Sequence, residues 1–306
     1  MNLREWALPV YTILMQFSVG TLTALWILRV FGMRHLSSEY VERILRKPML
    51  VLVLSILTAI IGSHFHLSKP YFSFLAVLNF SESWLSREIV FTILLLISCA
   101  LLAYLSGFVR GRTGLKLARR GFSVGGGWLA SFCMASLYLL PTQPIWHTPV
   151  TIMLFFGSAL LLGAAVAGAL LIMDTVFSEA QESDLVPVRL QLIRRSAMWF
   201  ALIAVLIVAL ISLLNLGQIT GLRAGGALEL TSLHLLTDVY GPLLIARFVA
   251  MFIGVIMLAA TMMLIDRQRK ALADLVVPVH LACLLMVVGE ILGRFLFYAT
   301  HVRIGV

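Results

Sequence analysis

Residues 62–88 read GSHFHLSKPYFSFLAVLNFSESWLSRE, and this stretch separates two long apolar runs. It closes the first run with His64 and His66, crosses a short aromatic loop and opens the next run with Glu88. Histidine and glutamate at the ends of two membrane helices can exchange protons. Ionisable groups at membrane depth are costly, so they mark function by default. The stretch therefore predicts one wall of a proton-coupled site.

The composition excludes a soluble globular protein. Of the 306 residues, 61% are hydrophobic and 12% are charged, and the mean hydropathy is +1.02. Uninterrupted apolar runs of about 20 residues favour membrane helices over the short alternating strands of a barrel. The net charge of +9 would suit a nucleic-acid-binding protein, but the basic residues lie between the apolar runs. We therefore expect the lipid bilayer, and no nucleic acid, as a partner.

The apolar runs predict an all-α integral membrane protein, a bundle of about eight transmembrane helices that forms a single polytopic domain over residues 1–306. The predicted spans cover residues 6–30, 49–67, 88–109, 122–141, 149–173, 196–216, 240–265 and 274–299. Sixteen Lys and Arg residues, including Arg29, Arg120 and Arg189, lie in the odd-numbered connections, and five lie on the opposite side. Cytoplasmic connections carry the excess of Lys and Arg, so both termini are expected to face outward, into the periplasm.

Three ionisable residues fall inside the last two predicted spans, all in the outer half. Counted at 1.5 Å per residue, Arg247 lies roughly 10 Å deep, and Arg294 and Glu290 lie roughly 7 and 14 Å deep. The i,i+4 spacing of Glu290 and Arg294 places both on one helix face. Gly289 and Gly293 flank that face, which allows another helix to approach closely. A structural ion pair remains the alternative to a functional role.

The two histidines of the second span differ in their surroundings. Residues two apart on a helix point in nearly opposite directions. His66 shares its face with Ala59 and Gly62, which are typical of a packed helix interface. His64 shares a face with bulky residues such as Leu57. His66 is therefore the better candidate site residue, and a hydrogen-bonded interface histidine is the alternative.

We expect no resident metal or haem group in this chain. A bis-histidine haem needs two ligands at similar depth on different helices, and His280 lies near the inner end of the last span, far from His66. Cys99, Cys133 and Cys283 all lie inside apolar runs without a Cys-x-x-Cys pair, which argues against an iron–sulfur cluster or a zinc site.

Several short motifs, in this order, resemble the membrane anchor subunit family of dimethyl sulfoxide reductase. The matching segments are Glu5-Trp6-x-Leu8 with Thr12, Gln16 and Gly20; His66-Leu67-x-x-Pro70; Leu85-Ser86-x-Glu88-Ile89; Tyr240 followed by Arg247; and Gly289-Glu290-x-x-Gly293-Arg294-x-x-Phe297-Tyr298-x-x-His301. The segment Pro144-x-Trp146-x-Thr148-Pro149 is a weaker match. One departure lies at Ser68–Phe72, where the family typically has Gly-Ser-Pro and an arginine two residues on.

The resemblance implies an eight-helix anchor in the bacterial cytoplasmic (inner) membrane with outward termini. It also implies an iron–sulfur electron-transfer subunit and a molybdopterin catalytic subunit as partners, which would hold the iron–sulfur clusters and the molybdopterin. The bound substrate would be menaquinol. The family's quinol-site histidine falls on His66 and its essential glutamate on Glu88, while Arg247, Glu290 and Arg294 would shape the quinol site.

The chain is then expected to perform the quinol dehydrogenase half-reaction of a larger oxidoreductase. Two other functions stay open at this point. A polytopic transporter would place ionisable residues through the full membrane thickness and would break its helices at mid-membrane. A purely structural anchor would use the same ion pairs only to pack helices.

Overall fold

The computed structural model of the chain describes residues 6–32, 38–65, 70–108, 113–177, 186–266 and 272–302. Within these ranges every regular element is a helix. The long helices are α1 (Ala7–Gly32), α2 (Ser38–His64), α3 (Trp84–Phe108), α4 (Thr113–Ser136), α5 (Pro149–Phe177), α6 (Val186–Arg223), α8 (Gly241–Asp266) and α9 (Val276–Ala299). The shorter ones are a 3-10 helix at Pro70–Asn79, α7 (Ala227–His234) with a π-helical extension at Leu235–Val239, and a 3-10 turn at Leu272–Leu275.

Prolines mark the beginnings of many of these helices. Five of the long helices carry a proline in their first turn: Pro9, Pro149, Pro187, Pro242 and Pro278. The first-turn amides of a helix have no intrahelical acceptor, so a residue without an N–H costs nothing there. Pro48, by contrast, lies inside α2, where it removes one backbone hydrogen bond.

Helix α5 lies at the centre of the bundle, where it packs against α1, α6, α9 and α4. Small residues occur on every side of it, so it has no lipid-facing stripe of large side chains over most of its length. A helix that is apolar all round is suited to such a buried position.

Helices α1 and α5 cross with their backbones in direct contact. A Cβ atom on Gly20 would lie 1.7 Å from the carbonyl oxygen of Ala159, and one on Gly163 would lie 2.3 Å from the carbonyl carbon of Gly20. Gln16, one turn away, donates a 3.2 Å hydrogen bond to the carbonyl of Phe155. Only glycine at both positions permits this separation, which is the small-residue packing that membrane helices use.

Helices α8 and α9 form the second close pair, and the predicted approach at Gly289 is confirmed. A Cβ atom on Gly289 would lie 2.5 Å from Cγ of Met251, and one on Gly254 would lie 3.0 Å from the carbonyl of Ala282. The neighbour that the glycines of α9 admit is therefore α8.

Seven of the eight long helices are long and apolar enough to cross a membrane, and α4 is not among them. Its first half carries Lys116, Arg119 and Arg120. Yet α4, like α1, reaches from the polar side chains at one end of the bundle to those at the other end. Arg120 binds Glu42 at one end, and Tyr138, just beyond the other end, hydrogen-bonds Tyr298 at 2.6 Å. The predicted span at 122–141 thus corresponds to a helix that runs the length of the bundle.

Several helix ends differ from the predicted spans. Helix α3 begins at Trp84, so Glu88 lies one turn inside it instead of opening it, and α2 ends at His64 instead of residue 67. Helix α6 extends over Val186–Arg223, well beyond the predicted 196–216. Hydropathy marks only the apolar part of a helix, while the backbone continues into polar flanks as long as its hydrogen bonds remain favourable.

Two buried ion-pair groups lie at the end of the bundle opposite to Glu88. Arg29 and Arg120, both almost fully buried, bind the two oxygens of Glu42 at 2.5 and 2.9 Å. Asp174 binds Lys47 and the buried Arg189, each at 3.0 Å. Arg29, Arg120 and Arg189 are three of the sixteen basic residues that the sequence analysis placed in the connections between spans. In the structure they lie within helices and form buried ion pairs.

The glycine contact between α1 and α5 yields a test. Replacing Gly163 with alanine should destabilise the bundle by about 3 kcal/mol or more, because the added methyl group meets backbone atoms that cannot rotate away. The measurement is the fraction of detergent-solubilised protein that stays monodisperse after heating. Gly125→Ala in α4 is the matched control, because a Cβ atom there meets nothing within 4 Å. Equal heat tolerance of the two variants would contradict the backbone contact.

Candidate functional site

The first turn of α3 is tied to the segment that precedes it. The hydroxyl of Ser86 donates to the carbonyl of Ala76 in the 3-10 helix. Arg87 donates to the carbonyl of Phe80 at 3.0 Å and lies 4.5 Å from the centre of the Trp84 ring. These bonds hold the 3-10 helix against α3 and fix the orientation of its first two turns.

The same orientation directs Glu88 away from the connection and into the bundle. Its side chain is 3% exposed. The carboxylate interacts with the phenol of Tyr11 on α1, and this phenol forms a 3.2 Å hydrogen bond with Thr92, one turn further along α3. Glu88 thus lies in a buried environment of neutral hydroxyl groups.

Of the two histidines in residues 62–88, the structure describes only His64. His66, the predicted partner of Glu88, lies outside the described residues. His64 ends α2 half-buried, with its Nδ1 atom 2.7 Å from the carbonyl oxygen of Ile60 on its own helix. The predicted use of His66 instead of His64 stays a prediction.

A pair of hydrogen-bonded tyrosines extends the polar environment of Glu88 toward α9. The hydroxyls of Tyr138 and Tyr298 are 2.6 Å apart, and Tyr298 also interacts with Thr12 on α1. Glu88 interacts electrostatically with both phenols. Helices α1, α3 and α9 and the segment after α4 therefore contribute to one buried cluster.

The three ionisable residues of α8 and α9 form the deeper part of this cluster. The guanidinium of Arg294 lies 3.6 Å from the centre of the Phe155 ring and interacts electrostatically with Tyr298 and Glu290. Glu290 accepts a 2.5 Å hydrogen bond from Ser158 on α5. The structure thus brings Arg294 and Glu290 together with the central helix, as well as with each other.

Arg247 completes the group from α8. It donates a 3.1 Å hydrogen bond to the side chain of Asn215 on α6 and interacts electrostatically with Glu290. A Cβ atom on Gly293 would lie 2.6 Å from Nε of Arg247. The guanidinium therefore lies flat against α9 in space that only glycine leaves open.

A small cavity lies among these side chains. It is lined by Ser158, Asn215, Arg247, Glu290 and Arg294 together with apolar neighbours, and its volume is about 40 Å³. Oε1 of Glu290 and Nε of Arg247 are buried without a hydrogen-bond partner among the described residues. A polar cavity of this size holds one or two water molecules and is far below the size of a ring-containing ligand.

The connection between α4 and α5 closes this end of the bundle. Trp146 donates a 2.7 Å hydrogen bond to the carbonyl of Phe297 and stacks on the Phe297 and His301 rings. Gln143 donates to the carbonyl of Val302 at 2.8 Å. The first bond satisfies a carbonyl group that the end of α9 leaves without an intrahelical partner, and the second binds the segment that follows α9.

One exposed carboxylate lies outside the cluster, on the π-helical extension of α7. Hydrogen bonds from His234 at 2.6 Å and from Thr237 at 3.0 Å lower the pKa of Asp238. Because Asp238 is exposed and these partners belong to its own helical segment, it takes no part in the buried cluster.

Sequence reasoning found the charged residues of the cluster and missed the residues that hold them. Glu88, Arg247, Glu290 and Arg294 lie at one end of the bundle and within one polar region. The neutral partners were not predicted: Tyr11, Thr92, Tyr138, Ser158 and Asn215. Within the described part of the chain, no group of three His, Cys, Asp or Glu side chains could hold a metal ion. The expectation that the chain lacks haem stays a prediction.

Comparisons with known proteins confirm the family that the sequence resembles. A family model described as the DMSO reductase anchor subunit (DmsC) matches residues 1–300. The chain is also 26% identical to the anaerobic dimethyl sulfoxide reductase chain YnfH of Escherichia coli (strain K12) over 308 residues. That alignment covers 98% of this chain and 96% of the relative. Both matches include Glu88 and the whole of α9.

The bond between Ser158 and Glu290 provides a test of the deeper part of the cluster. Ser158→Ala should lower stability by about 1.5–3 kcal/mol, because it removes a charge-assisted hydrogen bond from a buried carboxylate. The measurement is again heat tolerance in detergent. Ser212→Ala is the control, since Ser212 donates only to the carbonyl of Val208 on its own helix. A loss of similar size in both variants would show that Ser158 has no special role.

Proposed function

The chain belongs to the family of dimethyl sulfoxide reductase anchor subunits, and from this premise we propose that it oxidises menaquinol at the end of the bundle that holds Glu88. As an anchor subunit it is a multi-pass protein of the inner membrane. It associates there with a molybdopterin catalytic subunit and an iron–sulfur subunit.

The observation that carries the proposal is the environment of Glu88. A carboxylate that is 3% exposed at membrane depth needs a reason to be there, because a buried charge is costly unless it is paired. Glu88 faces Tyr11 and the tyrosines around Tyr298, and it has no Lys or Arg within 4 Å among the described residues. Groups of this kind can accept a proton and pass it on through hydroxyls.

Oxidation of a quinol to a quinone releases two electrons and two protons. In the proposed reaction Glu88 accepts the protons of the two quinol hydroxyls one after the other, directly or by way of His66, and releases the first before it takes the second; the buried phenol of Tyr11 orients its carboxylate. The iron–sulfur subunit supplies the acceptor for the electrons. The protons then leave at the face of the membrane that lies next to the 3-10 helix.

The residues of α8 and α9 have a different part in this proposal. Arg247, Glu290 and Arg294 line a cavity of about 40 Å³, which admits water and not a quinol ring. They act on the site through the electrostatic interaction of Arg294 with Tyr298 and through the position of α9. They are positioning residues of the quinol site and do not contact the reacting ring.

The distribution of charge favours this reading over a transporter. The buried charges that the structure describes form two separate groups, one in each half of the bundle, and α1, α5, α8 and α9 each continue unbroken through the middle. A transport path would instead line the full thickness of the bundle with polar groups and would interrupt helices at mid-depth.

The Glu88 proposal has a direct test in the assembled complex. Glu88→Gln should slow quinol oxidation roughly 10²- to 10⁴-fold, because it removes the proton acceptor and keeps the shape of the side chain. His66→Leu should give a loss of similar size. The assay uses a soluble menaquinol analogue in one arm and, in the other, an artificial donor that reduces the partner subunits directly.

The controls separate chemistry from assembly. Glu82→Gln, at an exposed position of the same segment, and His64→Leu should keep normal quinol oxidation. Activity with the artificial donor should be unchanged in every variant. If Glu88→Gln oxidises quinol at the normal rate in assembled complex, Glu88 is not the proton acceptor.

We also propose eight crossings with both termini in the periplasm, which would place Glu88 near the outer face. Support comes from the charge bias, which keeps its direction without Arg29, Arg120 and Arg189, and from the run of α4 between the polar side chains at the two ends of the bundle. Seven crossings would put the two termini on opposite sides.

Single cysteines in a variant without Cys99, Cys133 and Cys283 can test this topology. A cysteine at Glu82 should react with an impermeant maleimide in intact spheroplasts. A cysteine at Ala273, which is exposed at the opposite end, should react only after the membrane is opened. The reverse pattern would invert the topology and move the site to the cytoplasmic face.

A further inference from the structure

A second cavity, apart from the candidate site, is a groove between α1, α5 and α6, with a volume of about 480 Å³. We call it the α1–α6 groove. Gly20, Thr23 and Ile27 of α1 form one wall, Ala164 of α5 forms the floor, and Trp199 and Ile203 of α6 form the other wall. Its volume lies within the range of sites that bind a small organic molecule.

The two hydroxyl groups that line this groove already donate hydrogen bonds within their own helices. The hydroxyl of Thr23 donates to the carbonyl of Val19 at 2.8 Å, and the hydroxyl of Ser196 donates to the carbonyl of Leu192 at 2.8 Å. A quinone ring would need donors for its two oxygens. A hydrocarbon chain needs none, so the groove suits an acyl chain better than a ring with polar groups.

One charged side chain lines the groove, and it lies at the end near the buried ion pairs. Arg195 follows Arg189 by six residues on α6, which is roughly 9 Å along the helix. Arg195 is exposed, and it has no acidic partner in the part of the chain that the structure describes. An arginine on a membrane-facing surface needs a counter-ion, and lipid phosphate supplies one.

Trp199 continues the same face one turn further along α6, and its side chain is 65% exposed. Tryptophan prefers the level of the lipid headgroups and the glycerol backbone, because its ring is apolar and carries one N–H donor. From Arg195 to Ile203 the groove extends roughly 12 Å along α6, toward the middle of the bundle. Arg195, Trp199 and the apolar part of the groove thus follow one another in the same order as the phosphate, the glycerol backbone and the acyl chain of a phospholipid.

From this arrangement we propose that the α1–α6 groove binds an anionic phospholipid of the surrounding membrane. One acyl chain lies in the groove against Ala164, and the phosphate pairs with Arg195. The ligand fills the space between α1 and α6. The proposal is independent of the quinol chemistry, since it concerns the opposite end of the bundle.

Native mass spectrometry of the purified full chain in detergent can test this site. After delipidation, phosphatidylglycerol added at increasing concentration should occupy one tight site per chain, ahead of phosphatidylethanolamine. Arg195→Gln should weaken that occupancy roughly fivefold or more, as expected for the loss of one basic contact to an anionic headgroup. Ile27→Trp, at a part-exposed position of the wall, should also weaken it by filling the groove.

Arg194→Gln is the matched control, because it removes the same charge from the adjacent residue, which does not line the groove. This variant should bind phosphatidylglycerol like the unmodified chain. Equal binding by the Arg194→Gln and Arg195→Gln variants would overturn the proposal. So would a tight site that is emptied by a quinone analogue and not by competing phospholipid.

Discussion

The contact between Gly20 and Gly163 sets the position of α5 relative to α1, on which the rest of the bundle depends. It brings the backbones of α1 and α5 to a separation that no side chain would permit, and it fixes the rotation of α5 about its own axis. On the side toward the candidate site, α5 then presents Phe155 to Arg294 and Ser158 to Glu290. On α1, the same crossing places Tyr11 and Thr12 two turns beyond Gly20. Both halves of the polar cluster thus depend on one pair of glycines.

A second constraint is the low dielectric of the membrane, in which a buried carboxylate is costly unless its charge is compensated. The buried carboxylates at the two ends of the bundle differ in this respect. At one end the carboxylates of Glu42 and Asp174 each bind two basic side chains, so their charges are compensated in place. At the other end Glu88 faces neutral hydroxyls. Paired charges hold helices together and change little when a proton arrives nearby. A carboxylate among neutral groups can exchange a proton with a ligand, and for this reason the proposed chemistry is assigned to the end of the bundle that holds Glu88.

The sequence predicted features that lie within a single helix and missed contacts between helices that are distant in the chain. Apolar runs located the long helices, and the spacing of Glu290 and Arg294 put them on one face beside glycines that admit α8. Ser158 and Asn215 were not predicted, because each lies in an ordinary apolar run, 132 and 32 residues from its partner. Arg29 and Arg120 were read as connection charges, since nothing local shows that Glu42 pairs with both. The start of α3 at Trp84 was missed for a related reason: Ser86 and Arg87 stabilise that turn through bonds to a segment of the connection.

Glu88 and Glu290, the two buried carboxylates of the polar cluster, are the same residue type in different surroundings. Glu290 lies between the cations of Arg247 and Arg294 and is held by Ser158, so its negative charge balances fixed positive charges. Glu88 has Tyr11 and the Tyr138–Tyr298 pair as neighbours, and these groups can donate or accept hydrogen bonds as its charge changes. Arg294 interacts with members of both groups and therefore transmits the charge of one to the other. In the proposed function, Glu290 and the two arginines contribute a fixed electrostatic field, and Glu88, among phenols, responds to that field by taking up a proton.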